Sequence, residues 1–204
     1  MNLLFSMMRC PLNYTKNQID KLGNALIFIS QSIESASKTH LLKLIFILEE
    51  TSVKRFGLPF FDLRFHVWKL GPVSPDLFVE LSEQPNWLAE FIGQERFQDY
   101  FKFVPKKIFL DDEFSDNEIK LLEEVVDRFK YCTAKELVDF THRKNTPWYN
   151  AAVKNGVYEL LENGKMNTTD IEINLADDIE NDEDKLALYK SHRAFLLQSK
   201  SLKS

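Results

Sequence analysis

Residues 40–48 have the sequence HLLKLIFIL and decide the fold of this chain. Seven of these nine residues are apolar, so two consecutive turns of a helix here have no polar side. A helix that is apolar all round is buried at the centre of a protein. Gly57 supplies the glycine that ends such a helix, and Pro59 supplies the breaker after it. We therefore predict a central, buried helix over about residues 40–56.

Helix-start patterns lie on both sides of this segment. Capping boxes, in which a hydroxyl at the helix start is followed three positions later by Glu or Gln, begin at Thr15, Ser115 and Thr133. Ser74-Pro75 and Thr146-Pro147 add starts with proline at the first helical position. An amphipathic helix of about five turns is predicted after Thr15 by apolar residues at helical spacing, namely Ile19, Leu22, Leu26, Ile29 and Ile33.

Strand patterns are few. Residues 65–67 alternate before Gly71-Pro72, and residues 101–104 and 107–110 flank Pro105, where they either pair or lie extended. The expected fold is mainly α, a compact single-domain bundle of about five to seven helices with a minor β element. The domain is placed at residues 15–156.

The two ends are assigned separately. Residues 1–14 are interpreted as a leader that is disordered or that reflects a true start at Met7 or Met8. Residues 157–204 are interpreted as a C-terminal extension, with an acidic segment and a basic helix, that packs on the same domain.

Composition excludes several classes of function. The 204 residues include 26 basic and 31 acidic side chains, for a net charge of −5, so no direct nucleic-acid binding is expected. Cys10 and Cys132 form no C-x-x-C motif and fit a reducing cytoplasm. No apolar run approaches the ~20 residues that span a bilayer. We expect a cytoplasmic protein without a membrane partner.

No catalytic, cofactor-binding or metal-binding pattern is found. The four histidines lack metal-ligand spacing, and no glycine-rich phosphate loop occurs. Thr141-His142-Arg143 combines a hydroxyl with a base, which leaves open a hydrolase-like enzyme centred on His142. The favoured interpretation is structural: His142 bonds a carbonyl of the last helical turn, and Trp148 packs under the next helix. We therefore expect no enzymatic activity and no cofactor.

Four motifs, taken in order, resemble the SocA-like antitoxin family. Its shared unit is the Panacea domain, and the family has also carried the label phage-associated protein GepA. The similarity covers about residues 16–155, and its motifs are His40–Phe46, Gly57–Asp62, Phe65–Phe78, and Leu137–His142 followed by Thr146–Ala151.

The resemblance implies an antitoxin of a toxin-antitoxin system that neutralises a cognate protein toxin by direct binding. In some members the antitoxin is an adaptor that delivers the toxin to a Clp-type protease. No catalysis and no cofactor is implied. The alternative is a phage-related regulatory or interaction protein with other partners.

Candidate partner-binding residues follow from the motifs. Exposed aromatic side chains are enriched in interface hot spots, so the expected anchors, on condition that they are exposed, are Trp68, Lys69, Trp148 and Tyr149. The rest of the motif set is Gly71, Pro72, Thr141, His142 and Pro147. The acidic net charge is expected to complement a basic toxin and to speed association.

Overall fold

The computed structural model describes residues 14–201, with side chains described through residue 198. This part contains eight α-helices, one 3-10 helix at Leu175–Ile179 and two antiparallel two-stranded sheets. The helices are α1 (Lys16–Ser32), α2 (Lys38–Phe56), α3 (Pro75–Glu80), α4 (Asp116–Phe129), α5 (Ala134–Thr141), α6 (Pro147–Lys154), α7 (Tyr158–Glu162) and α8 (Glu183–Ser201). The strands are β1 (His66–Trp68), β2 (Gly71–Val73), β3 (Ile92–Phe97) and β4 (Tyr100–Pro105).

The mainly α class with a minor β element is confirmed. The described residues hold eight helices, one more than the upper number expected, because α7, with five residues, is too short to show an apolar period. Helix α3 begins at the predicted Ser74-Pro75 start. Except for Tyr14, the predicted leader lies outside the described residues. Tyr14 itself stacks on Trp87 and donates a hydrogen bond to Asp76.

Helix α2 is central and buried, as its sequence predicts. It contacts α1, α3, α4, α5 and α8, together with β2, β4 and the 3-10 helix. The helix begins two residues earlier than expected, because Ser37 and His40 form a capping box in which His takes the place of the usual Glu or Gln. It ends at Gly57, which adopts a left-handed conformation with φ of +70°.

Beside α2, the capping boxes predicted at Thr15, Ser115 and Thr133 are all formed. The apolar stripe of α1 faces the core, where Leu22, Leu26 and Ile29 are buried.

The second sheet differs from the expected pairing. Strand β4 pairs with β3, whereas residues 107–110 lie outside any strand, with Leu110 N donating to the Asn24 side chain. Sequence patterning missed β3 because Gly93 and the charged pair Glu95-Arg96 interrupt its apolar alternation.

The segment after α7 packs on the hairpin of β1 and β2 and on α2. Residues 167–173 follow the outer edge of β1, and their backbone hydrogen bonds join Val67 N to Ile171 O and Ile173 N to Phe65 O. Helix α8 is joined to the loop after α2 by a hydrogen bond between His192 Nε2 and Asp62 Oδ1, 2.5 Å apart. Among the helices of residues 14–201, none has both the length and the apolarity required to cross a bilayer.

A buried carboxylate shapes the loop that leads from α2 to the hairpin. Glu49 is 1% exposed, and its oxygens accept hydrogen bonds from the backbone N–H groups of Phe60, Phe61 and Leu63 at 3.0, 2.6 and 3.1 Å. Burial raises the pKa of Glu49 to about 8, although the bonds from Phe61 and Leu63 lower it. One side chain of the central helix thus fixes the path of this loop.

Candidate functional site

The predicted motif residues converge around the hairpin of β1 and β2. Gly71 begins β2 with φ of +93°, a conformation that favours glycine. A Cβ atom at Gly71 would lie 2.8 Å from Lys43 Nζ, 2.8 Å from Thr141 Oγ1 and 3.1 Å from His142 Nε2. Side chains from α2 and from the end of α5 therefore close directly over the turn, and no larger residue fits there.

Trp148 supports the hairpin from beneath. Its side chain is fully buried, and its Nε1–H donates to the backbone oxygen of Trp68 at 2.9 Å. The His142 ring stacks on the indole at 3.8 Å with an interplanar angle of 7°. Thr146 caps α6 by accepting from Tyr149 N, with Pro147 at the first helical position, and so holds Trp148 in place. The motif around residues 141–149 is therefore a support for the hairpin.

Lys43 is the buried cation of this cluster. It is 1% exposed, and its Nζ donates to Pro72 O at 2.9 Å. Burial lowers the pKa of Lys43 to about 7. Lys43 was not among the predicted site residues, and the one signal for it in the sequence is a charged residue inside an otherwise apolar run.

A cleft of about 490 Å³ opens on the solvent side of the hairpin. We call it the hairpin cleft. Trp68 forms one wall, with its ring edge against Phe78 at 5.0 Å and its Nε1–H bonded to Thr169 O. Leu70, at the hairpin tip, is 60% exposed. The residues that line the cleft are Lys38, Thr39, Leu42, Lys43, Trp68, Lys69, Leu70, Val73, Phe78, Asn167 and Thr168.

The structure separates the expected anchors into two groups. Trp68 and Lys69 are half-buried and line the hairpin cleft. Trp148 is buried and does not meet the condition of exposure, because the hairpin covers it. Tyr149 is half-buried, packs on Tyr158 at 5.0 Å, and does not line the cleft. Phe78 and Lys38 were missed, because only the fold brings α3 and the start of α2 to the hairpin. Leu70 was missed although it lies in the hairpin turn, because its exposure is set by the fold.

Charge at the cleft has the opposite sign to the net charge of the chain. The ionisable side chains that line it are three lysines, Lys38, Lys43 and Lys69. Lys38 Nζ lies 4.1 Å from the centre of the Phe78 ring. The local charge of this cleft therefore differs from the net charge of the chain, since net charge does not fix the local charge. Attraction of a basic toxin stays a prediction from the net charge alone.

The Thr141 hydroxyl, the His142 imidazole and the Glu162 carboxylate lie in the same region, but the first two are largely enclosed by protein. The Thr141 hydroxyl donates to Val138 O at 3.0 Å, and Thr141 is 1% exposed. His142 Nε2 is buried without a hydrogen-bond partner, and Nδ1 lies 3.5 Å from Glu162. The prediction that the His142 side chain bonds a carbonyl of its last helical turn is wrong, because the ring lies flat on Trp148. Among residues 14–198, no group of three or more His, Cys, Asp or Glu side chains is placed to hold a metal ion.

Acidification is expected to destabilise the cluster through His142. Burial, then the charge of Lys43, lowers the pKa of His142 to about 4, while Asp139 raises it. Glu162, which faces the ring from α7, is 45% exposed, so water screens its charge. Because the unfolded chain binds this proton more tightly, the contribution of His142 to stability is expected to fall by on the order of 2–3 kcal/mol between about pH 6.5 and 4. The raised pKa values of Glu49 and Asp178 act in the opposite direction over this range, so the effect is read from a comparison with a variant that lacks the histidine.

Denaturant unfolding across this pH window measures the effect. The stability of the wild type relative to His142→Phe, which retains the stacking on Trp148, is expected to fall as the pH falls. Glu162→Gln is expected to behave as the wild type. An equal change of the free energy of unfolding with pH in the wild type and in His142→Phe would contradict the role assigned to His142.

The four motifs thus form one structural unit, and a comparison with protein families identifies it. The model of the family described as antitoxin SocA-like, Panacea domain, matches residues 41–149, just over half of the chain. This chain belongs to the SocA-like antitoxin family. Membership supports an antitoxin role in general. Comparison with curated proteins and with solved structures gave no match.

The Panacea domain contains the hairpin, Lys43, His142 and Trp148. It does not include residues 167 and 168, which complete the wall of the hairpin cleft, or Thr169, which accepts from Trp68. The cleft is therefore built jointly by the Panacea domain and by the C-terminal segment of this chain.

Proposed function

We propose that this chain is a cytoplasmic antitoxin that neutralises a cognate protein toxin by direct contact, with the hairpin cleft as the binding surface. The observation that carries the proposal is the combination of an exposed Leu70 at the rim with half-buried Trp68 and Phe78 in the wall. Aromatic side chains in a partly enclosed apolar cleft are the usual centre of a protein–protein hot spot.

The hairpin is well suited to present such a surface. Trp68 is held by its bond to Thr169, and the strand backbone is held by the bond of Lys69 N to Asn167 O at 2.8 Å. Trp148 supports the same strand from the core side. A surface that is already rigid loses little conformational entropy on binding, which favours tight association.

Action without catalysis is part of the proposal. The Thr141 hydroxyl and His142 Nε2 are buried beneath the hairpin, and neither residue lines the hairpin cleft. A substrate would have no path to them without opening the hairpin. The buried placement disfavours the hydrolase-like alternative centred on His142, while a phage-related interaction protein with other partners would use the same cleft.

Neutralisation by occlusion is the favoured route. Delivery to a Clp-type protease is the alternative, and the lifetime of the toxin separates the two. Occlusion predicts a stable toxin in a stable complex, whereas delivery predicts a shorter toxin half-life when the antitoxin and the protease are both present.

Growth rescue tests the proposal. Expression of a candidate toxin gene, taken from the genes adjacent to the one encoding this chain, is expected to arrest growth, and co-expression of this chain is expected to relieve the arrest. Leu70→Asp is expected to weaken toxin binding by about tenfold or more, because it places a charge at the rim of an apolar cleft. Its melting temperature is expected to match that of the wild type, since Leu70 is exposed.

A matched control is Ile108→Asp. Ile108 is 74% exposed and does not line the cleft, so this change is expected to leave rescue and binding unchanged. A Leu70→Asp variant that is folded and still neutralises fully would exclude the hairpin cleft as the binding surface. Growth arrest that the well-expressed wild-type chain does not relieve would contradict the antitoxin role.

A further inference from the structure

A second cleft, of about 300 Å³, lies between α2, α4 and α5, away from the hairpin. We call it the arginine cleft. Its floor is apolar and includes Ile47, Val125 and the ring of Phe140. Its rim is charged. The size is at the lower end of clefts that hold ligands, so it suits one or two side chains of a larger partner.

Two arginines at this cleft share one aromatic ring. The guanidinium carbon of Arg143 lies 3.7 Å from the centre of the Phe140 ring, and that of Arg128 lies 5.6 Å from the same centre. Arg143 Nε donates to Phe140 O at 3.0 Å. Stacking on an aromatic face holds a guanidinium in place while its outer N–H groups stay available.

These two arginines differ from the other cations at the rim. Arg55 pairs with Glu124 at 2.5 Å, and Lys54 pairs with Glu50. Within the described residues, no carboxylate lies within 4.0 Å of the guanidinium nitrogens of Arg128 or Arg143, and both residues are exposed. Among the side chains that the structure describes, these two prepositioned guanidinium groups beside an apolar floor therefore have no anionic partner.

We propose that the arginine cleft docks a segment of a protein partner in which a carboxylate side chain stands beside an apolar one. The carboxylate would accept from Arg128 and Arg143, and the apolar side chain would lie on Val125 and Phe140. A protein segment is favoured over phosphate or nucleic acid, because the apolar floor of Ile47, Val125 and Phe140 offers contact to an apolar side chain, which a phosphate group lacks. This site is separate from the proposed toxin surface.

Binding of short peptides to the full-length chain tests the proposal. The probe is a labelled peptide of alternating leucine and glutamate, and the matched probe has glutamine in place of glutamate. Side-chain N–H signals of Arg128 and Arg143, observed by nuclear magnetic resonance, are expected to shift in a saturable way with the glutamate peptide. The glutamine peptide is expected to bind about tenfold more weakly or worse.

Three variants make the test specific. The double variant Arg128→Gln with Arg143→Gln is expected to lose at least about tenfold in affinity, while its melting temperature stays close to that of the wild type. Arg96→Gln removes an exposed positive charge from β3 and is expected to have no effect. Leu70→Asp is also expected to leave peptide binding unchanged. The test of the arginine cleft is therefore independent of whether the hairpin cleft binds the toxin.

Several results would overturn the proposal. They are the absence of binding by the glutamate peptide, equal binding of the two peptides, unchanged binding by the double variant, and loss of binding in Arg96→Gln. Stronger shifts of the same arginine signals with inorganic phosphate or with single-stranded RNA would assign the cleft to phosphate groups instead.

Discussion

Trp148→Ala is expected to lower the free energy of unfolding by about 3–5 kcal/mol, a large part of the stability of a domain of this size. The substitution leaves a cavity at a fully buried site and removes the donor to Trp68 O. It also removes the surface on which His142 stacks. Denaturant unfolding followed by circular dichroism measures the change, and loss of toxin binding is expected to follow loss of the fold.

Two further variants test this explanation. Trp148→Phe keeps most of the buried ring but lacks the N–H donor, so its loss of stability is expected to be intermediate. Tyr131→Ala removes an aromatic side chain that is 89% exposed, and its stability is expected to stay within about 0.5 kcal/mol of the wild type. A Trp148→Ala variant that unfolds at the wild-type denaturant concentration would contradict the role of Trp148 as the support of the hairpin.

Glu49→Gln is expected to destabilise the protein, although glutamine has nearly the same shape as glutamate and the change removes only the ability to ionise. Both side-chain oxygens of Glu49 accept N–H groups, and they would still accept if one oxygen carried a proton. An amide nitrogen cannot accept, so at least one buried donor of residues 60–63 is left facing another donor. The expected cost is about 1–3 kcal/mol for each donor left without an acceptor.

Thermal and denaturant unfolding check this expectation. Glu49→Ala, which removes all three acceptor contacts and leaves a cavity, is expected to be less stable than Glu49→Gln. Glu124→Gln alters an exposed glutamate in an ion pair with Arg55 and is expected to cost less than about 1 kcal/mol. A Glu49→Gln variant as stable as the wild type would show that the loop does not depend on this carboxylate.

Local patterns predicted much of the helical framework. The apolar run at residues 41–48 gave the central helix, and the boxes at Thr15, Ser115 and Thr133 gave three helix starts. Such patterns lie within one or two turns of chain, where the physical causes are local. The box at Ser37 was missed because histidine is an unusual partner there, and α7 was missed because five residues carry no period.

The candidate site was only partly predictable. Trp68 and Trp148 have the same residue type and lie in similar motifs, yet one lines a cleft and the other supports it from the core. Nothing local in either motif distinguishes the two positions. Arg128 was not selected from the sequence, and Arg143 was noted only beside His142, because their shared contact with the Phe140 ring depends on the packing of α4 against α5.

The sequence by itself determined the mainly α class, the central helix and the family, because periodicity, capping and ordered motifs are carried by the chain order. The tertiary structure alone decided which motif residues are accessible, and it joined residues 167 and 168 to the hairpin to complete the cleft. It also set Lys43 and the Glu49 carboxylate inside the core. The burial of a side chain and its hydrogen-bond partners depend on contacts between segments far apart in sequence, and no pattern along the chain specifies those contacts.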